Sequence, residues 1–437
     1  MKAMLETAAP ASRPTTAAAA FEPSRSAGTA LTPRLLAGPR FDAGPESWAQ
    51  HRARLGDLPA ASLHSGIIPS IERSGLIGRG GAGFPVGRKW RSVAERSRRG
   101  AVVVANGAEG EPHSAKDRAL MHLRPHLIID GGVIAARAIG AEELVIYVGS
   151  EHGDAVRSMS RAIAERAHRD PAAIRLVVAP PGYVSGESTA VVHYLNARDA
   201  RPTSVLERPF ERGVGSRPTL VQNVESLAHA ALIARFGDAW YREPGRGRTR
   251  GTALVTVSGP VRAPGVREVE YGVSLAQLVA TSEGATAEIG AVLVGGYFGG
   301  WASVRDLWEL PLDPVDLAEA GLGFGCGLIG LLDAGQCGVE ATEQIVRYMA
   351  AESARQCGPC IFGLGAMAAA LARLASCQPA RDDLENLARW SAQIAGRGAC
   401  HHPDGAAALL TSGLRVFREE FDRHQHRRCA HSAARER

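Results

Sequence analysis

The chain has 437 residues, 45% apolar and 22% charged, which suits two or three domains, each with its own core. It contains no run of ~18 apolar residues, so the sequence predicts no membrane span. Net charge is +5, but the bases of residues 1–40 and the five arginines of residues 423–437 more than account for it. The body between them is slightly acidic, which argues against the basic face a nucleic-acid binder needs.

The first 40 residues are rich in Ala, Pro, Ser and Thr and lack both amphipathic periodicity and the apolar core of a secretory signal. They read as a disordered arm. Ile67, Ile68, Ile71 and Leu76 then fall at helical spacing. Directly after them comes Gly78-Arg79-Gly80-Gly81-Ala82-Gly83-Phe84-Pro85-Val86-Gly87-Arg88-Lys89-Trp90. Such a density of glycine lets the backbone approach a ligand closely and presents successive N–H groups to an anion. Arg79, Arg88 and Lys89 add positive charge, and Phe84 and Trp90 offer flat apolar surfaces. This chemistry suits a phosphate attached to an aromatic ring, as in a flavin or nicotinamide nucleotide. Gly78, Gly80 and Gly83 also satisfy G-x-G-x-x-G, but that fingerprint requires a preceding strand, and the pattern here is helical.

Ala101–Ala105 reads as a buried strand that runs into Asn106-Gly107-Ala108-Glu109-Gly110-Glu111-Pro112-His113-Ser114-Ala115-Lys116-Asp117-Arg118. Acids and an amide at the C-terminal end of a parallel strand stand where open α/β sheets bind ligands. With this segment the chain resembles the NADH-binding flavin subunit of bacterial respiratory complex I and its relatives in hydrogenases and formate dehydrogenases. That family pairs a GRGGAGFP-x-G-x-KW loop with N-A-D-E-(G/S)-E-P-x-x-x-K-D-R, and the likeness runs from about residue 60 to about 425. Further apolar runs at 143–149 and 174–179 alternate with helical patterns at Leu120–Gly140 and Asp154–Ala167. A parallel sheet covered by helices follows from that alternation.

The third strand delivers Tyr183, Gly186, Glu187 and Ser188, which resemble the family's Y-x-x-G-E-E-T. Arg217–Leu227 resembles K-P-T-x-x-N-N-V-E-T-L, where an amide and a helix N-terminus meet the flavin phosphate. The resemblance implies that Gly78, Arg79, Gly80, Gly81, Gly83, Phe84, Lys89, Asn106, Glu109, Glu111, Tyr183, Gly186, Glu187, Gln222 and Asn223 bind cofactor. Glu111 is the acid it places near nicotinamide and flavin, the catalytic position. The departures are Ser92 for an aromatic residue, Ala108 for an aspartate and Ser188 for the second acid of the G-E-E motif. In relatives such an acid repels a 2′-phosphate, so NADP(H) joins NAD(H) as an expected substrate.

A polar linker at 245–250 precedes a small mixed unit with strands near 253–259 and 291–295 and a helix at Ser274–Ala280, which resembles a β-grasp module. Helical patterns follow at Val339–Ser353, Ile361–Ala375, Leu384–Ile394 and Gly405–His424. The expected division is a disordered arm (1–40), a Rossmann-like α/β domain for FMN and NAD(P)H (41–248), the β-grasp module (249–325), a helical iron–sulfur domain (326–425) and a basic tail (426–437).

All seven cysteines fall between 326 and 429, and an odd count in one region favours a metal site over a disulfide framework. By resemblance, Cys357, Cys360 and Cys400 match three ligands of a 4Fe-4S cluster, and Ala354 stands where the fourth belongs. Three outcomes stay open. One is a cluster held by three cysteines with an open iron or another ligand, drawn from Cys326, Cys337, His401 or His402. The others are loss of the cluster and a Cys₃His zinc site. Cys377 and Cys429 read as incidental. The family's activity would be hydride transfer from NADH to FMN, with electrons passed through the cluster to a partner subunit or a ferredoxin-like protein. Its place would be cytoplasmic, peripheral to a membrane complex. A non-catalytic binding or assembly role is the contrasting expectation.

Overall fold

The apolar run at 101–105 forms strand β1 (Ala101–Gly107), an inner strand of the first sheet in this computed structural model. Residues 33–39, 41–59, 66–97, 100–167, 170, 172–204 and 208–431 are described. With β2 (Ala141–Gly149), β3 (Ala173–Ala179) and β4 (Thr219–Asn223), the strand order is β3-β2-β1-β4 and every neighbouring pair is parallel. Continuous apolar runs are what such strands need, because helices cover both faces. Val103 and Ala105 join Ile128 and Leu227, from helices Pro125–Ile139 and Val224–Tyr241, in one core. Val102 and Val104 meet Val191 of helix Ser188–Ala197 on the other face. A Cβ on Gly131 would lie 2.0 Å from the Leu227 carbonyl oxygen, so glycine sets the closeness of those two long helices.

The helix expected over Leu120–Gly140 is two helices, Lys116–Leu123 and Pro125–Ile139. Pro125 has no N–H to continue the first and is suited to open the second. Arg124, between them, buries its guanidinium and donates to the carbonyls of Leu36, Ala37 and Pro39 at 2.8, 2.7 and 2.6 Å. The N–H groups of Arg34, Leu35 and Leu36 donate to one oxygen of Glu268 at 2.9, 2.9 and 3.1 Å, and the Arg34 guanidinium lies 3.8 Å over the Trp240 ring. Residues 34–39 are therefore a fixed strap, not part of a disordered arm. Residues 1–32 and 432–437, with the rest of the arm and half of the basic tail, lie outside the described residues.

The second sheet comprises β5 (Thr252–Ser258), β6 (Gly265–Glu270), β7 (Ile289–Val294), β8 (Gly300–Ser303) and β9 (Leu328–Asp333), in the order β6-β5-β9-β7-β8. β5 and β9 are parallel, the other pairs antiparallel. Because β9 supplies hydrogen bonds to β5 and β7, this unit runs through residue 333. The division expected at 325 would cut its sheet. Helices Gly338–Ala351, Gly365–Ala375, Asp383–Ile394, His402–Val416 and Arg418–Gln425 then pack around Val346, Met349, Leu371, Leu410 and Phe421. The helix expected over Gly405–His424 breaks at Phe417. No helix among the described residues is long and apolar enough to cross a membrane.

Candidate functional site

The C-terminal ends of β1 and β4 open into a cleft of about 530 Å³, the volume class of a cofactor site. Every residue expected to bind cofactor lines it, as do Phe298, Cys326, Cys400, His401 and His402. A helix, Ile67–Ser74, precedes the glycine loop, as its apolar spacing predicts. The loop closes on itself through Gly78 N–H donating to Phe84 O at 2.8 Å. Gly81 and Gly83 sit at φ 105° and 62°, where a side chain would be strained. Phe84 is half exposed at the rim.

Opposite the loop, backbone meets backbone. A Cβ on Gly110 would lie 2.5 Å from Tyr183 O, and one on Gly186 would lie 2.6 Å from Ala108 O. Asn106 reinforces this wall by donating from Nδ2 to Gly186 O at 2.8 Å.

Of the three cations expected at the loop, Lys89 alone reaches the cleft with its charged end. Its Nζ donates to Val221 O at 2.5 Å, and burial brings its pKa down to about 8. The Arg79 guanidinium turns into the core, donating to Glu225 Oε1 and to the Tyr271 hydroxyl, both at 2.9 Å. Arg88 is exposed, and Trp90 is fully buried in the core. The sequence signal missed here lies in Lys116, Asp117 and Glu225. Lys116 Nζ bridges Asp117 at 2.7 Å and Glu225 at 2.9 Å. Asp117 in turn accepts from Asn223 Nδ2 at 2.7 Å, while Asn223 Oδ1 caps helix Val224–Tyr241.

Two of the expected acids terminate helices. Glu109 accepts from the N–H groups of Asp117 and Arg118 at 3.3 and 3.2 Å, and from the Ser114 hydroxyl. Glu187 caps helix Ser188–Ala197 by accepting from Thr189 and Ala190 N–H at 2.7 and 3.1 Å. Glu111 differs. Its Oε2 accepts from Tyr297 N–H at 2.7 Å and the Tyr183 hydroxyl at 3.3 Å, and its buried Oε1 has no hydrogen-bond partner. Burial pushes this carboxyl up to about 7, outweighing the donors from Tyr297, Tyr183 and the His113 backbone. Gln222 is likewise buried with an unpartnered Oε1. Buried acceptors without partners call for a ligand. A glycine-walled cleft with a cation, a helix N-terminus and two such acceptors fits a flavin mononucleotide.

The set of Cys357, Cys360 and Cys400 lies at the edge of this cleft, where Cys400 lines it. The Cys357 and Cys360 thiols are hydrogen-bond partners, and Cys400 lies within electrostatic reach of both. Burial raises the Cys357 thiol, but N–H groups of Ala399 and Cys360 pull it below its ordinary value. Burial, then the Cys357 charge, pushes Cys360 up to about 12. Three thiols thus converge, one fewer than a four-iron cluster normally takes.

Of the substitutes considered for the missing ligand, Cys326 and Cys337 are engaged elsewhere. Cys326 donates to Gly295 O at 3.3 Å, and Cys337 sits 3.3 Å from His424 Nε2. His401 is exposed beside Asp404. His402 hydrogen-bonds Met349 O through Nε2 at 2.7 Å, and its buried Nδ1 has no partner.

Residues 71–231 match the Nuo51 FMN-binding domain, and residues 340–424 match the NADH-ubiquinone oxidoreductase-F iron-sulfur binding region. The second NADH-quinone oxidoreductase F subunit of Rhizobium meliloti (strain 1021) is 34% identical over 83% of this chain and 90% of its own length. The corresponding F subunit of Rickettsia felis is 31% identical over 82% and 88%. A crystal structure of an NAD+-reducing NiFe hydrogenase in the H2-reduced state superimposes with a TM-score of 0.77 and 27% identity, covering 89% of this chain and 68% of that one. The likeness first visible in the glycine loop and the Asn106 segment therefore extends along most of the sequence, and the chain belongs to the NADH-quinone oxidoreductase F subunit family.

Proposed function

We propose that the cleft binds FMN, receives NADH beside it, and delivers electrons through a thiolate-held iron–sulfur site to a partner protein. The observation carrying this reading is the pair of buried, unpartnered acceptors, Glu111 Oε1 and Gln222 Oε1, in one glycine-walled cleft. The N–H groups of Gly80–Gly83 and the N-terminus of helix Val224–Tyr241 would hold the phosphate, with Lys89 supplying charge. Bound FMN supplies the conversion between a hydride pair and single electrons. Glu111, pushed up to about 7 by burial, holds or releases a proton near neutral pH. Tyr183, Phe298 and Phe84 exclude water and offer ring surface to the nucleotide. Ser188 lines the cleft with a hydroxyl, so no carboxylate at that position repels a 2′-phosphate, and NADPH falls within the reading.

Cys357, Cys360 and Cys400 would hold the iron–sulfur centre. Next to Cys360, Ile361 and Phe362 are 50% and 74% exposed, an apolar surface fitted to a partner that accepts electrons there. In this reading residues 41–248 bind the nucleotides, the second sheet braces them, and the helices carry the thiols of a peripheral subunit. Ala354 and Ala108 favour the contrasting role of a binding or assembly module that has lost electron transfer.

Gly81→Asp separates the readings of the cleft. No atom lies within 4 Å of a Cβ there, so the strain of the positive φ stays in the loop, circular dichroism checks that the variant is folded, and its carboxylate opposes a phosphate. We expect wild-type protein to copurify with FMN and the variant to lose at least about tenfold in flavin affinity, the effect of ~1.4 kcal/mol. Equal flavin occupancy in both would place FMN elsewhere.

A further inference from the structure

Three side chains that the flavin and iron–sulfur reading does not use meet at one point in the helical unit. Cys337 directly precedes helix Gly338–Ala351, His424 lies in the last turn of helix Arg418–Gln425, and Cys429 follows that helix. Their ligand atoms all lie within 4.8 Å of one another, and Cys337 and His424 are almost fully buried. Cys337 Sγ is 3.3 Å from His424 Nε2. The other ring nitrogen, Nδ1, lies 2.8 Å from Leu374 O. A proton on Nδ1, donated to that carbonyl, leaves Nε2 with its lone pair toward the two sulfurs. Metal-bound histidines are commonly oriented in this way, by a carbonyl on the far nitrogen. Burial pushes the Cys337 thiol up, an effect that N–H groups of Glu340 and Val339 at the start of its helix offset only in part.

We propose that Cys337, His424 and Cys429 bind a zinc ion that fastens the C-terminal segment to the first helix of the bundle. Two thiolates and one imidazole are a zinc donor set, and metal–ligand lengths of about 2.0–2.3 Å put tetrahedral donors about 3.5–3.8 Å apart. The observed group fits with shifts of an ångström or less. Both thiols release their protons to solvent on binding, and water, reaching in past the partly exposed Cys429, completes the tetrahedron. Cys377 does not belong to the set. Its Sγ is 3.6 Å from Nδ1, the nitrogen committed to Leu374. No residue of the Cys357, Cys360 and Cys400 set takes part either, so this site is independent of the iron–sulfur reading.

Metal analysis of the full chain, purified under reducing conditions from zinc-supplemented medium, tests the proposal. The Cys360→Ala background prevents zinc from loading the other thiol set. In that background we expect about one zinc per chain, and about tenfold less after adding Cys429→Ser. Adding Cys377→Ser instead should leave the zinc in place. Cobalt(II) in place of zinc should give a thiolate charge-transfer band that Cys429→Ser weakens. Circular dichroism checks that each variant is folded. Zinc absent from folded Cys360→Ala, zinc unchanged by Cys429→Ser, or zinc lost with Cys377→Ser would each overturn this donor set. So would a Cys337–Cys429 disulfide in peptide mapping. Flavin content does not enter any of these readouts.

Discussion

Glu111 shows how one side chain can combine a stability cost with a chemical use. Its carboxyl keeps a proton up to about pH 7 in the folded chain, against an ordinary value of 4.5. Between those values the folded state holds a proton that the unfolded state has released, so stability falls as pH rises through the window. In flavin-free protein, Glu111→Gln should remove that fall, worth roughly 3 kcal/mol by ~1.4 kcal/mol per pH unit. Urea midpoints at pH 5 and 7.5 for both proteins check this, and identical pH slopes would refute the assignment. NADH oxidation should also lose its inflection near pH 7 in the variant. The motif around Glu111 was legible from order and spacing. What spacing could not reveal was what else these side chains hold: the Arg79 guanidinium is a core strut, and Glu109 and Glu187, which line the cleft, also cap helices. Cys429 looked incidental because its companions lie 5 and 92 residues away along the chain and meet only after folding.

At the scale of elements, the strands at 101–105 and 143–149 were readable as continuous apolar runs because both faces are buried, and the edge strand at 174–179, though partly exposed, keeps the same apolar composition. β9 was not, since Leu328–Asp333 follows Cys326 and its sheet partners lie in distant sequence. The turn linking helix Gly338–Ala351 to the Pro359–Leu364 π-helical turn carries a further consequence. Ala354 there precedes Arg355, which takes a left-handed φ of 52°. The Arg355 N–H is a hydrogen-bond partner of the Cys360 thiol, so Ala354→Cys should put a fourth sulfur near the set and make the iron more persistent in air. We expect iron and sulfide per chain after aerobic purification to rise severalfold, because a cluster normally has four thiolates. Unchanged iron in a folded variant would mean that this position no longer faces the site.

Across the whole molecule, the buried network Arg79–Glu225–Lys116 joins the two sheets. Glu225 opens the helix after β4, and its Oε1 also accepts from Leu254 N–H of β5 at 2.8 Å. Glu225→Gln leaves two buried cations short of their counter-charge and should cost about 3–5 kcal/mol. Asp57→Ala, which breaks the exposed pair with Arg52, should leave the midpoint nearly where it is. Chemical denaturation of the two variants side by side provides the check, and equal midpoints would show that the network does not brace the sheets. The strap at residues 34–39 extends the same long-range logic into time. Arg34 leaves the ribosome 234 residues before its acceptor Glu268. At usual rates of synthesis that is a wait of roughly 10 to 50 s. During it the Arg124 guanidinium can gather its carbonyls from residues 36–39, but the N–H groups of residues 34–36 lack their carboxylate acceptor. The nucleotide-binding half therefore emerges first and is sealed late, by a strand made long after it.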